Sequence, residues 1–398
     1  MGQVTVRDLA ASEPVQEIII ADLSKERAER LKQRLNSPKI KCVRADLADA
    51  ASMKAALSGA DVLINCTPYK FNVQVMEAAL ASGCHYLDLG GLFHVTRKQL
   101  ELHERFKDHK LLAVLGMGAA PGMTNVMAAH AATHLDQVEA IDMTVAGVDF
   151  VKTDHPLLPP YALETILDEY AMEPMVFEGG RFVAKPPMSG EMDIDMPEPV
   201  GTVKAFLTLH SEIATLPLAY QQKGVKRVTY RLGLPEEFHD RMKFLVELGF
   251  GDTKMVRVDD QSVHPRRMLQ AMIDQHAVPD SDPDDCEVVR VDVSGQLGGR
   301  RTTIRMESTI RSDENWKVSC GALDTGVPPS IVAQMIGLGV IQSRGVFAPE
   351  SCVPPELFFL ELSKRGIIMR RVTDETMAEN GGKSSVRPSP RAALSRSR

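Results

Sequence analysis

The chain has 398 residues, 44% of them hydrophobic, and a net charge of −7, so it can bury a sizeable core in two domains or one large one. The acidic balance argues against nucleic acid as a general partner, and no apolar run approaches the ~20 residues of a membrane span. Six scattered cysteines without CxxC spacing suggest neither a disulfide framework nor a metal site, and a reducing, cytoplasmic compartment fits.

Val4 to Ala10 reads as a short helix behind Gly2. Ile18, Ile19 and Ile20, closed by Ala21 and Asp22, have the form of a buried parallel strand, and Lys25 to Leu35 is helical. In a dinucleotide-binding βαβ unit an acidic residue at the tip of the second strand hydrogen-bonds the adenosine ribose, about 20 residues after the glycine loop. Asp22 stands at that distance from Gly2. On this reading Gly2 is the last glycine of the phosphate loop, and the first strand and first two glycines would precede Met1. The alternative is that Gly2 merely follows the initiator methionine. A carboxylate at position 22 would repel a ribose 2′-phosphate, so NAD is favoured over NADP, a preference that Lys25 and Arg27 weaken.

The alternation continues. Lys39 to Arg44 is strand-like and leads to Asp46, Ala48 to Ser58 is an amphipathic helix, and Ala60 to Asn65 is a strand that runs into Cys66, Thr67, Pro68 and Tyr69. Such alternation demands a parallel sheet, here of Rossmann type and lacking its first strand. Ligands of these sheets sit beyond the carboxyl ends of the strands. Gly2, Asp22, Asp46, Asn65 and Thr67 are therefore the cofactor candidates, with a helix N-cap as the alternative role for Asp46.

Val75 to Gly83 is a helix with a glycine stop, and His85 to Leu89 a strand with Asp88 near its end. Leu100 to Lys107 is helical, and Leu111 to Leu115 is an apolar strand that opens into the glycine-rich turn 116–125 before the helix Val126 to His134. A glycine-rich turn between strand and helix brings main-chain N–H groups close to a ligand. Gly118, Pro121 and Gly122 are thus expected to wall the nicotinamide and substrate pocket; the competing reading is an ordinary tight crossover.

The blocks VLINCTPYKFN, HYLDLGG, LELHERF and LGMGAAPGMTN, in this order, resemble the saccharopine dehydrogenase superfamily, most closely its L-lysine 6-dehydrogenase branch. VTYRLGLPEEFHDRMKFLVELGF from Val228 and IVAQMIGLGVIQSRGVFAPE from Ile331 extend the resemblance to about Arg371. The resemblance implies an NAD(P)-dependent dehydrogenase that oxidises the ε-amino group of lysine to an imine, hydrolysed to 2-aminoadipate 6-semialdehyde. Such chemistry needs a general base, because an ammonium cannot form an imine by losing hydride. It also needs a water and a cationic clamp for the α-carboxylate. The resemblance implies catalytic roles for Asp88 as orienting or accepting carboxylate, His94 as proton shuttle and Tyr69 as substrate or nicotinamide contact. Their other readings are a cap on the Gly90 turn, an exposed loop histidine and a packing residue. Ala120 stands where saccharopine-forming relatives usually carry Asp, which suggests a substrate other than saccharopine. Asn125 either donates to the substrate carboxylate or caps the helix.

From Leu135 the pattern changes. Val138 to Val148, Val200 to Leu209 and Val225 to Leu232 alternate apolar and polar residues, and Glu287 to Val293 pairs with Arg301 to Thr309. Alternation predicts a mainly antiparallel sheet within an inserted α+β domain. The stretch Phe182 to Pro199 reads as a long loop or lid. Arg231 is the candidate for the substrate carboxylate, unless it is a surface cation, and His210 with Ser211 are weaker pocket candidates. Pro328 to Gly339 is an apolar helix. The expected organisation is a dinucleotide-binding domain over 1–134, a substrate and dimerisation domain over 135–327, a returning segment over 328–372 and a basic, disordered tail over 373–398. A small amino-acid substrate and a homodimer are expected. The competing functional readings are a saccharopine dehydrogenase-type C–N oxidoreductase and a truncated, inactive family member.

Overall fold

A computed structural model of the protein describes residues 1–376. Its first part alternates as the sequence pattern predicts: α1 (Gly2–Ala11), β1 (Ile18–Asp22), α2 (Lys25–Leu35), β2 (Ile40–Arg44), α3 (Ala50–Ala56), β3 (Val62–Asn65), α4 (Asn72–Ser82) and β4 (His85–Asp88). Then follow α5 (Leu92–Leu100), α6 (His103–Asp108), β5 (Leu112–Val114) and α7 (Met123–Thr133). Local chemistry sets the boundaries. Ser24 accepts the Arg27 N–H at the start of α2, and Asn36 ends that helix in the left-handed conformation at φ 45°. Asp49, rather than Asp46, caps α3 by accepting from the Ala51 N–H. The helix expected over Leu100 to Lys107 is instead two helices, and the first of them carries His94.

These strands form two separate parallel ladders, β1–β2 and β3–β4–β5. Ile19, Ile20, Leu63 and Ile64 consequently remain only half-buried, although their composition suits a strand covered on both sides.

The second part builds a nine-stranded sheet. Its elements are β6 (Gln137–Asp149), α8 (Leu163–Ala171), β7 (Met175–Glu178), β8 (Arg181–Ala184), β9 (Met192–Asp195), β10 (Thr202–Leu207), α9 (Leu216–Ala219) and β11 (Arg227–Gly233). After α10 (Glu236–Glu247), a small hairpin of β12 (Val256–Val258) and β13 (Gln261–Val263), and α11 (Pro265–Ile273) come β14 (Asp285–Leu297) and β15 (Arg300–Arg311). Gly298 and Gly299, at φ 56° and 77°, make the two-residue turn that joins the last pair, a turn that needs positive φ at both positions. The central pair β6–β11 is parallel and the other pairs of this sheet are antiparallel. One face of the sheet, with Ile141, Met143, Val289 and Val291, packs into the core with Met127 of α7. The other face carries the ion pairs Asp142–Arg227, Arg290–Glu307 and Asp292–Arg305.

The described residues end with α12 (Cys320–Gly337), β16 (Gly345–Phe347), α13 (Pro355–Ser363) and β17 (Arg370–Thr376). β16 adds to β5 of the nucleotide sheet. Three expectations need correction. The terminal apolar helix begins at Cys320, where the Ser319 hydroxyl accepts from the Ala322 N–H, and runs through Pro328 and Pro329. Residues 182–199 are not a free loop, because β8 and β9 sit in the large sheet. β17 pairs with β15, which places residues 373–376 in that sheet; the rest of the expected tail lies outside the described residues. Packing of α12 on α1 joins the two halves. A Cβ at Gly326 would lie 2.6 Å from that of Val4, so only glycine permits this approach.

Candidate active site in the interdomain cleft

The carboxyl ends of the nucleotide strands face the large sheet across a cleft of about 1220 Å³. Thr67, Tyr69, Gly90, Ala120 and Pro121 line one side, and Glu169, His210, Tyr230, Glu287 and Cys320 line the other. Two polar networks organise it.

The first begins in α8. Leu163, Ile166, Leu167 and Tyr170 are its buried face, in helical spacing, and the same packing buries Asp168 and Glu169. The Tyr161 hydroxyl donates to Glu169. Burial pushes the Glu169 carboxyl up to about 7, against the opposing pull of the His210 charge and the Tyr161 bond. Asp168 accepts the Tyr69 hydroxyl at 2.6 Å and Arg266 Nη1 at 2.5 Å, while Arg266 also donates to the Gly251 carbonyl. Tyr69 therefore reaches from the nucleotide side to the opposite wall. Burial and the adjoining Asp168 carboxylate raise its phenol well above the ordinary value.

The second network lies after β10. His210 Nδ1 meets the Glu212 carboxylate, and Glu212 Oε1 accepts the Thr124 hydroxyl at 2.7 Å. Glu212 is 0% exposed, so the imidazole is its link to the cleft. Burial works against a charged His210, but Glu212 and then Glu169 outweigh it and raise the imidazole pKa. Tyr230 stacks on His210 because β11 alternates: Val228, Tyr230 and Leu232 face the core.

That alternation sends Arg231 to the other face, where its guanidinium donates to Thr229 Oγ1 at 2.9 Å. It does not line the cleft. Asp88 is also outside it. Its carboxylate accepts from the N–H groups of Gly90 and Gly116 on one oxygen, and from Tyr86 and Gln99 on the other. All its acceptor sites are engaged in holding the turn, and burial raises its pKa. His94 is exposed on α5, edge-on to Phe93, and does not line the cleft.

The glycine turn is shaped rather than open. Gly118 N–H donates to the Pro121 carbonyl and Gly122 N–H to Asn125 Oδ1, so neither group points to a ligand. A Cβ at Gly122 would stand 2.2 Å from the Gly118 carbonyl oxygen. Asn125 serves as helix cap and binds Glu350 through Nδ2 at 2.8 Å. Of this turn, Ala119, Ala120 and Pro121 line the cleft, and Gly118, Gly122 and Asn125 do not.

For a dinucleotide, the strand tips fit. Asp22 accepts the Ser24 N–H with Oδ1, leaving Oδ2 for a ribose hydroxyl, and is half-exposed at the end of β1. Gly2, the first residue of α1, lies against Cys66, with a hypothetical Cβ only 3.4 Å from that of Cys66. Asn65 is buried; its Oδ1 accepts Thr67 N–H and Oγ1, which fixes the turn and presents Thr67 to the cleft. Asp46 closes its own turn on the Ala48 N–H, away from the cleft.

Glu169, Tyr161, Glu212 and Tyr230 were not among the expected site residues; for two of them a signal existed in the sequence, since Glu212 is two residues after His210 and Tyr230 occupies the core-facing register beside Arg231.

Residues 1–114 match the saccharopine dehydrogenase NADP binding domain and residues 118–367 the saccharopine dehydrogenase C-terminal domain. The chain is 24% identical over 392 residues to carboxyaminopropylagmatine dehydrogenase of Synechocystis sp., covering 94% of this chain and 96% of that one. It is 22% identical over 370 residues to carboxynorspermidine synthase of Vibrio alginolyticus, covering 89% and 87% respectively. Among solved structures, the apo L-Glu-forming saccharopine dehydrogenase of Saccharomyces cerevisiae superposes with a TM-score of 0.73 at 16% identity, over 94% of this chain and 97% of that one. Both domains match along nearly the whole described length, and the chain belongs to the saccharopine dehydrogenase family of NAD(P)-dependent oxidoreductases.

Proposed function

We propose that the protein oxidises, and in reverse forms, the carbon–nitrogen bond of a carboxylate-bearing amine with NAD, with Glu169 as the general base. The observation that carries this reading is a buried carboxyl on the cleft wall, bonded by the Tyr161 hydroxyl, which burial pushes up to about 7. A base is most effective when its pKa lies near the working pH. The bound nicotinamide would supply the hydride acceptor, and Asp22 would hold its ribose.

The chain's own groups account for the proton. Glu169 takes a proton from the substrate ammonium, so the nitrogen lone pair can drive hydride from the adjacent carbon and leave an iminium. Water adds to that carbon, and the hydrated product collapses to a carbonyl and a free amine. His210, held in orientation by Glu212, transfers the protons of the water step. Tyr69 keeps its own proton and positions substrate between the walls.

The similarity over nearly full length to a carboxyaminopropylagmatine dehydrogenase supports a secondary amine bearing a further cation. Oxidation of the lysine ε-amine is the second reading, supported by the sequence resemblance and by Ala120, which leaves its part of the cleft wall without a carboxylate. The test is nicotinamide absorbance with NAD or NADP and, in turn, carboxyaminopropylagmatine, carboxynorspermidine, saccharopine and L-lysine. Turnover of a carboxylated secondary amine above lysine supports the first reading, and turnover of lysine alone the second. Turnover of none would sink both.

A further inference from the structure

One buried carboxyl has no part in the proton transfers and does not line the cleft: Glu350, in the tight turn Pro349–Ser351 that follows β16. The turn packs on α7 and α9. Glu350 Oε2 accepts Asn125 Nδ2 at 2.8 Å. Its Oε1 is shielded from water, and the donor beside the carboxylate is the Thr215 hydroxyl, which stops short of full bonding geometry. Burial, with a smaller push from the Glu212 charge, raises the Glu350 carboxyl to about 6 against the pull of Thr215 and Asn125. An apolar side chain of the same length would escape both penalties, so stability does not account for a carboxyl here.

Its two partners lead to the two turns that shape this side of the pocket. Asn125 Oδ1 accepts the Gly122 N–H, which closes the glycine turn that sets Ala120 and Pro121 in the cleft wall. Thr215 ends the turn that begins at His210. That turn is held at three points: Ser211 Oγ accepts the Gly91 N–H at 3.2 Å, Glu212 Oε1 accepts the Thr124 hydroxyl, and Thr215 meets Glu350. The two turns come together at Gly90, where an added Cβ would stand 2.8 Å from Pro121 Cγ and 3.5 Å from Ser211 Oγ. Thr124 and Asn125 are neighbours in the first turn of α7, so Glu212 and Glu350 hold adjacent side chains of one helix end.

We propose that Glu350 is a positioning residue for His210: by bonding Asn125 and bracing Thr215 it keeps the glycine turn and the turn from His210 to Thr215 in register. It acts through Glu212 and Thr124 and not on the substrate, because it lies outside the cleft. What it supplies is polar contacts at fixed places. Gln reproduces them, since its Oε1 accepts from Asn125 and its amide N–H donates to the Thr215 hydroxyl, whereas Met has the length and makes neither bond. The role rests on the reading of His210 as the group that moves protons in the water step.

In the full chain, Glu350→Met should lower kcat about tenfold or more with NADH affinity and melting temperature close to the parent's, while Glu350→Gln should stay within about threefold. In a Glu212→Gln background, Glu350→Met should cost less than about twofold more, because both changes act through one ring. The His210 ring protons, followed by NMR without substrate, give a readout independent of turnover. In Glu350→Met the His210 pKa should fall by about 0.5 or more, as the Glu212 carboxylate loses its place against the ring. Full kcat in Glu350→Met, equal losses in the Gln and Met variants, additive losses with Glu212→Gln, or a parent-like His210 titration would each overturn the role. If Glu350→Met does not fold, Thr215→Val is put through the same cycle and titration. If no amine is turned over, the proposed function falls and the His210 titration alone decides whether Glu350 orients the ring.

Discussion

The imidazole of His210 lies flat on the phenol of Tyr230, with ring centroids 3.8 Å apart and planes 8° from parallel. Tyr230 therefore fixes the plane of the ring, and Glu212 fixes its rotation through Nδ1. An imidazole held in this way presents Nε2 to the cleft in one orientation.

Replacing Glu212 by Gln should lower kcat by about 10–100-fold with little change in substrate KM, because the ring loses its orienting charge but not its place. Removing the carboxylate leaves burial to act, so the His210 pKa, followed by the NMR shift of its ring protons, should fall. An unchanged His210 titration would refute the pairing.

Glu169 gives opposite effects on activity and stability. Its folded pKa, about 7, lies above the ordinary 4.5. The folded state thus holds the proton more tightly, and stability declines as pH rises from about 4.5 to about 7, by up to about 3 kcal/mol. Glu169→Gln should abolish the acid limb of the kcat/KM profile and reduce activity by roughly 10²-fold or more. Above pH 7 the variant should melt higher than the parent, and at pH 4.5 it should show no such gain. A variant that keeps the acid limb excludes Glu169 as base.

Asp22→Ser should raise the KM for NAD about tenfold, the worth of one hydrogen bond to a charged group, while the KM for the amine substrate changes little. The same change should narrow the preference for NAD over NADP. Equal movement of both KM values would remove Asp22 from the ribose.

Across the cleft, Tyr69 and Arg266 both hold Asp168, yet their loss should not cost the same. Tyr69→Phe leaves the Asp168–Arg266 pair intact and should cost about 1 kcal/mol. Arg266→Met strands a buried carboxylate and should cost about 3–5 kcal/mol. Urea denaturation measures both, and equal costs would contradict the arrangement.

Much of the first domain was legible in the chain. The run Ile18–Asp22, the helix Lys25–Leu35 and the Gly83 stop depend on neighbours in sequence, and the structure keeps them. The alternating strands after residue 137 were equally plain, since a period of two is local. Boundaries at 182–199 and 320–328 were less so. β8 and β9 are short strands whose partners lie in β7 and β10, and α12 carries its prolines deep inside a packed helix.

By itself the sequence determined the alternation of elements, the acidic strand tip at Asp22 and the family resemblance, because each is written in adjacent residues. Only tertiary structure decided the chemistry of the cleft. Asp88 and Arg231 looked like site residues by position, but one is consumed by four hydrogen bonds and the other faces away from the cleft. Glu169 became a base candidate through burial. Desolvation depends on what packs around a carboxyl from distant parts of the chain, and no local pattern of residues records it.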